Sequence, residues 1–212
     1  MKIAIFGASG ATGQLLMKRC LDAGYGVTAL LRRPDSFPFR DQVRLVQGSA
    51  FDAAAVRETV DGADVVLSAL GARSLKKEDV LEQAVPLIVA AMKQTGVRRI
   101  IALGSAGALP DSLKKQPAWR RWLVENIVYK TMLKWPVASQ ISQYATLSSS
   151  GLDWTMVMPP MLTNSTGSGV YRIDGEALPR NGSRISREDV ADFMMLQIDS
   201  REWLGKGVYI SY

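Results

Sequence analysis

The chain has 212 residues, enough for one domain with a substantial core, and its 47% hydrophobic and 22% charged content is ordinary for a globular protein. It contains no histidine and one cysteine, which excludes histidine metal sites, serine–histidine triads, thiolate zinc sites and a disulfide framework. The net charge of +6 is spread over scattered basic pairs, and an anionic small molecule accounts for it as well as nucleic acid or a membrane surface does.

In chain order, Lys2-Ile3-Ala4-Ile5-Phe6 reads as an apolar strand that runs into Gly7-Ala8-Ser9-Gly10-Ala11-Thr12-Gly13, and Gln14 to Ala23 continues at helical period. A strand that turns on glycines into a helix aims free backbone N–H groups and the positive end of the helix dipole at one point. That geometry suits a pyrophosphate. Glycine is required because a Cβ would block the tight turn or the close approach of the phosphate. The expected contacts are Gly7, Ser9, Gly10, Ala11, Thr12 and Gly13. Val27 to Leu31 is a second strand, and it ends at Arg32-Arg33. An acidic residue there would bond a ribose 2′-hydroxyl, whereas arginine suits a 2′-phosphate, so the expected cofactor is NADP(H). A solvated basic pair is the plainer role for Arg32 and Arg33. Cys20 falls inside the first helix and reads as a buried structural thiol.

The alternation continues. Val43 to Gln47 is a third strand, Ala53 to Val60 a short helix, and Ala63 to Leu70 a fourth strand leading into Gly71. Asp79 to Gln94 is helical, with Leu81, Val85, Ile88, Val89 and Met92 as an apolar stripe. Arg98 to Leu103 is a fifth strand closed by Gly104-Ser105, and Asp153 to Met158 a sixth stopped by Pro159-Pro160. Ser186-Arg187-Glu188-Asp189 resembles a capping box, and Gly207 to Tyr212 makes a last strand. Apolar strands alternating with helices predict an α/β protein: residues 1–212 as a single Rossmann-type domain, its doubly wound parallel sheet covered by helices on both faces. Ligands bind beyond the carboxyl ends of such strands. The candidate rim is therefore Gly7 to Gly13, Arg32, Ser49, Leu70 to Arg73, Ser105 and Pro159 to Leu162. No apolar run reaches membrane-spanning length and no leader precedes the first strand, so the expected location is cytoplasmic.

Residues 111–136 stand apart. They hold three of the five tryptophans (Trp119, Trp122, Trp135) among Lys114, Lys115, Arg120, Arg121, Lys130 and Lys134. Pro117 suits a helix start and Pro136 a position just past its end, and Trp119, Leu123, Ile127 and Leu133 can share a face. The plain reading is an amphipathic helix packed on the fold. The others are a lid that stacks Trp119 and Trp122 on a flat acceptor, a dimer or partner surface, and a membrane-surface contact.

These pieces resemble the atypical short-chain dehydrogenase/reductase group that includes NmrA-like proteins, and within it the flavin reductase (biliverdin-IXβ reductase) branch. The resemblance spans nearly the whole chain. It is carried by Lys2 to Gly13, Ala23-Gly24-Tyr25 with Val27-Thr28, Leu70-Gly71 with Arg73, Ile88 to Lys93, Ser150-Gly151-Leu152, Val157-Met158-Pro159-Pro160 and Arg184-Ile185-Ser186. It implies NADPH extended across the strand ends, with the diphosphate on Gly7 to Gly13 and the 2′-phosphate on Arg32. Arg73 would lie over the cofactor, Ser105 near the nicotinamide, and Pro159, Pro160, Met161 and Leu162 would wall that ring. Pro160, with a fixed φ and no N–H, makes this loop a stiff apolar support.

The departures bear on chemistry. Ser49 stands where many members carry an acid after the third strand. The places of the wider family's Tyr-x-x-x-Lys pair fall near Pro136 and Gln140, and Tyr144 has Ser148 four residues on. Positions that are active-site histidines in the flavin reductases read Gln140 and Met161. A tuned proton donor supplies about 10²–10⁴-fold, and none is visible. The expectation is therefore hydride transfer to a flat acceptor that needs little acid help, such as a flavin, quinone or tetrapyrrole. In that reading Ser105 is either a catalytic hydrogen-bond donor or a plain strand cap, and Met161 with the two tryptophans contacts the acceptor. An NADP(H)-binding regulator with little turnover is the alternative. Neither nucleic acid, a membrane nor a metal is expected as a partner, and monomer and homodimer both remain open.

Overall fold

In the computed structural model, which describes residues 1–72 and 74–212, one sheet organises the chain. Its strands are β1 (Lys2–Phe6), β2 (Gly26–Leu31), β3 (Arg44–Gln47), β4 (Val65–Ser68), β5 (Arg99–Leu103), β6 (Asp153–Met158), β8 (Arg172–Asp174) and β10 (Lys206–Ser211). They lie in the order β3-β2-β1-β4-β5-β6-β10-β8. All neighbours run parallel except β8, which pairs antiparallel with β10 and closes the far edge. The sheet is thus mostly rather than wholly parallel. A separate parallel pair, β7 (Met161–Thr163) with β9 (Arg184–Ser186), lies outside it. Strands of three residues are too short to leave a periodic signal, and β7, β8 and β9 went unforeseen.

Alternation along the central strands divides the core into two layers. From β1, Ala4 and Phe6 pack with Val56, Val60, Leu81, Val85, Ile88 and Met92 of helices α2 (Ala53–Val60) and α3 (Val80–Thr95). Ile3 and Ile5 point the other way, onto Leu16, Met17 and Cys20 of α1 (Ala11–Asp22) and Val190, Phe193 and Met194 of α6 (Arg187–Leu196). Helices therefore cover both faces, as in a Rossmann-type fold. Burial pushes the Cys20 thiol up to about 12, which leaves it a packing group.

Caps fix where helices begin beneath the rim. Asp52 accepts from the N–H of Ala54 and Ala55 at 2.9 and 3.3 Å, and Ser186 accepts from Asp189 at 3.0 Å. Helix α1 differs: its cap is Gly10, which offers no side-chain acceptor.

The tryptophan-rich stretch departs from expectation. Helix α4 (Ala118–Leu123) passes into a π-helical turn (Val124–Val128), and α5 (Lys134–Ser148) begins before Pro136. Pro136 thus sits in the first turn of the following helix, where a missing N–H costs nothing, instead of ending the preceding one. No residue of α4 or the π turn is buried, so this is no amphipathic helix with its tryptophan face packed inward. Among the described residues, no helix is long and apolar enough to cross a membrane.

Candidate coenzyme and acceptor cleft

The carboxyl ends of β1 to β5 open onto one continuous cleft of about 1000 Å³, at the upper end for small-molecule sites. It lies across the β1/β4 boundary, where the strand order reverses and such folds take their ligands.

At one end, Gly7, Ser9, Gly10, Ala11 and Thr12 line the cleft. Gly7 has φ +79°, and a Cβ there would lie 2.6 Å from the backbone of Ala69. Gly10 donates to Gly7 O at 3.0 Å, closing the turn. Because Gly10 brings no capping side chain, the first-turn N–H groups of α1 are left for a ligand. Gly13 lies beneath this surface: a Cβ on it would come within 2.1 Å of Gly7 O, so its role is to let α1 approach β1. Bare backbone, close approach and a helix N-terminus together fit a pyrophosphate.

Arg32 lines the same end, exposed at the tip of β2, and among the described residues no carboxylate pairs with it. Arg33 is exposed and off the cleft lining. Gly48, Ser49, Ala50 and Phe51 form the adjoining wall, where Gly48 packs so tightly on α2 that a Cβ would lie 2.5 Å from that of Ala55. Ser49 supplies an uncharged lining.

Toward the middle come Leu70 and Gly71, then Ser74, Leu75 and Glu78 from the loop before α3. Arg73 lies outside the described residues. Glu78, half-buried, is the one carboxyl group on the described lining, and it accepts a hydrogen bond from Ser74 Oγ at 2.8 Å.

The other end is built by Leu103, Gly104 and Ser105 after β5, by Leu133, Pro136, Val137 and Gln140 of α5 and the turn before it, and by Leu162 and Arg187. Ser105 caps the short 3-10 turn Ala106–Ala108, its Oγ accepting from Gly107 N–H at 3.5 Å. Strand cap and cleft wall coincide in this residue. Gln143, buried on α5, donates to Leu103 O at 3.0 Å and to Gln140 Oε1 at 3.2 Å. Gln140, its oxygen engaged by Gln143, lines the cleft with two amide N–H donors of its own. Arg187 donates to Asn164 Oδ1 at 2.6 Å, which steadies its guanidinium at the rim.

Several expected contacts lie elsewhere. Of Pro159 to Leu162, only Leu162 lines the cleft. Met161 begins β7 and is 64% exposed, because alternation along β7 turns Leu162 inward and Met161 outward. The Pro159 carbonyl accepts from Ala106 N–H at 2.9 Å, so Pro159 braces the loop after β5, and neither proline is on the cleft lining. Trp119 and Trp122 face solvent away from the cleft, which removes the stacking-lid reading in this conformation. Tyr144 packs edge-on against Trp154, 5.4 Å between ring centroids, and is also off the lining. Glu78 and Arg187 were missed, since nothing local distinguishes them from solvated charges.

This strand order, glycine turn and switch-point cleft define a Rossmann-type NAD(P)-binding fold. The sequence matches the NAD(P)H-binding family over residues 7–201, and the chain belongs to that family. Among curated relatives, it is 34% identical over 106 residues to the uncharacterized protein Rv2047c of Mycobacterium tuberculosis and 30% identical over 109 residues to the uncharacterized protein YwnB of Bacillus subtilis. These matches cover 50% and 51% of this chain but only 12% and 49% of those proteins. Solved structures align over its whole length. A Burkholderia pseudomallei protein described as exported superposes with TM-score 0.81 at 27% identity, covering 100% of both chains. A Veillonella parvula short-chain dehydrogenase/reductase in complex with NADP gives 0.80 at 21%, over 100% of this chain and 94% of that one. ChuY, an anaerobilin reductase from Escherichia coli O157:H7, gives 0.80 at 18%, over 100% and 97%.

Proposed function

We propose that the protein is an NADPH-dependent reductase that passes hydride to a flat conjugated acceptor such as a flavin, quinone or tetrapyrrole. The observation that carries this reading is the cleft running from the uncapped N–H groups of α1 and Arg32, which no described carboxylate pairs, to a largely apolar end whose polar groups are Ser105, Gln140 and Arg187. Relatives of the same fold act on such molecules or hold NADP, which supports the class of reaction.

When bound, a reduced nicotinamide supplies the hydride. The chain's contribution is placement. Gly7 to Thr12 would hold the diphosphate, and Arg32 the 2′-phosphate that separates NADPH from NADH. Leu103, Val137 and Leu162 exclude water from the transfer path, while Ser105 Oγ–H and the Gln140 amide donate to a carbonyl of the acceptor as it gains charge. Positioning of this kind can contribute roughly 7–11 kcal/mol toward the barrier. No tyrosine or lysine is among the described lining residues, which supports an acceptor that needs little acid help.

The test is to mix the purified protein with NADPH and, separately, FMN, riboflavin and a short-chain quinone, and to follow nicotinamide absorbance. Acceptor-dependent loss supports the reductase. Stoichiometric NADPH binding without turnover of any acceptor overturns it in favour of a coenzyme-sensing protein.

A further inference from the structure

The chain carries a second surface that the cleft does not use. Trp119 and Trp122 are 72% and 60% exposed, and Leu123, Ile127, Met132 and Trp135 are exposed along the same helical stretch. Trp119, Trp122, Leu123 and Ile127 follow the i, i+3, i+4, i+8 pattern of one helix side. Trp154, by contrast, is buried and Trp203 packs on the core. A collected apolar ridge of this kind marks an interaction site.

The charge around the ridge selects its occupant. Residues 111–136 contain six lysines and arginines against Asp111 and Glu125. The two acids are both engaged by Arg121. Among the described residues, Arg120, Lys130 and Lys134 have no carboxylate partner: Arg120 donates to Gln116 Oε1 and the Gly182 carbonyl, Lys130 to Asn126, and Lys134 lies 4.9 Å over the Trp135 ring. Twofold pairing with a second copy would bring these like charges together. Indole rings beside unpaired cations match the polar–apolar boundary of a lipid layer, where tryptophan sits at headgroup depth and lysine meets phosphate.

We propose that this ridge docks the protein onto the surface of a bilayer containing anionic phospholipid, with Trp119 and Trp122 in the headgroup boundary and Arg120, Lys130 and Lys134 on lipid phosphates. Met132, Trp135 and Ile141 face outward in the same turns from which Leu133, Pro136, Val137 and Gln140 line the cleft. The docking does not rest on the reductase reading.

The experiment is flotation of the full chain, without coenzyme, with phosphatidylcholine vesicles that contain or lack phosphatidylglycerol, read alongside tryptophan emission. Binding to the anionic vesicles only, with a blue-shifted emission that reverses at high salt, is expected. Lys130→Glu with Lys134→Glu, and separately Trp119→Ala with Trp122→Ala, should each weaken it by roughly tenfold or more, while NADPH affinity stays unchanged and certifies folding. Absence of flotation, or equal flotation with pure phosphatidylcholine, overturns the proposal. So does a dimer in light scattering that the tryptophan variant dissolves while vesicle binding is absent, which would assign the ridge to a second copy. NADPH turnover plays no part in the readout, so failure of the reductase reading would register separately.

Discussion

The Gln143 carboxamide donates to Gln140 Oε1 at 3.2 Å while also holding the Leu103 carbonyl at 3.0 Å, so a buried residue sets the orientation of one that faces the cleft. Of the two, Gln140 falls at one of the places where the resemblance would put a proton-transfer residue, and glutamine has no titratable proton to give. Replacing Gln140 by leucine should raise the acceptor KM by about 3–10-fold, the worth of one neutral hydrogen bond, and leave NADPH affinity alone. Gln143→Leu should move the same parameter in the same direction by less, because it acts through Gln140. Steady-state kinetics on both variants check this; an unchanged KM for Gln140→Leu would place the acceptor elsewhere.

Arg32 sets coenzyme choice in the proposed reading. A charge-assisted contact is worth about 1.5–3 kcal/mol, so Arg32→Asp should cut the NADPH-over-NADH preference by roughly 10–100-fold. Titration of both coenzymes measures the ratio, and Arg33→Asp, off the lining, should change it far less.

The glycine turn gives a steric test with a built-in control. An alanine Cβ at Gly13 meets Gly7 O at 2.1 Å, and neither backbone can retreat without unseating α1 from β1. Gly13→Ala should cost about 1–3 kcal/mol in denaturant unfolding and abolish coenzyme binding. Gly71→Ala, with no described atom within 4 Å of its Cβ, should unfold like the parent.

The positions of those glycines and of Arg32 were legible in the sequence because they are set locally: a turn between adjacent elements, and the tip of a strand whose neighbours are set by period. The parallel order and both helical layers followed from the same alternation. Glu78 and Arg187 come from separate crossovers and meet the cleft only once the sheet has assembled, so no spacing announces them, whereas Gln140 was marked by the resemblance alone. Met161 and Leu162 were read as one wall, and only pairing with Arg184 and Ile185 in β9 shows which of the two points inward. The tryptophan stretch misled for another reason. Its amphipathic pattern is real, but a pattern says that one side is apolar and not what covers it.

Asp189 ties the loop before β8 and the C-terminal Tyr212 to the start of α6. Buried on α6, it accepts from Gly169 N–H at 2.8 Å, Ser168 N–H at 3.0 Å, Ser186 Oγ and Tyr212 Oη. Burial pushes its carboxyl up, but the bonds from Tyr212, the two backbone N–H groups and Ser186 outweigh that and hold it below its ordinary 3.8. A depressed carboxyl contributes stability that is full above the unfolded value and is lost as pH falls below 3.8 through the folded one. Asp189→Asn should therefore destabilise the protein by about 2–4 kcal/mol at neutral pH and flatten the acid limb of its stability curve. Chemical denaturation across the acid range checks both.

The three residues of β8 do more than lengthen the sheet. Their antiparallel pairing, Ile173 opposite Ile210 and Asp174 opposite Tyr209, covers the hydrogen-bonding edge of β10, which is buried along Gly207 to Ser211. Peeled away, that edge would be a long, apolar template for other chains. Ile173→Pro, which disrupts this short strand, should therefore give more turbidity on heating than the parent chain does, as light scattering through a thermal ramp would read. The small guard strand protects less against unfolding than against the company the unguarded sheet would keep.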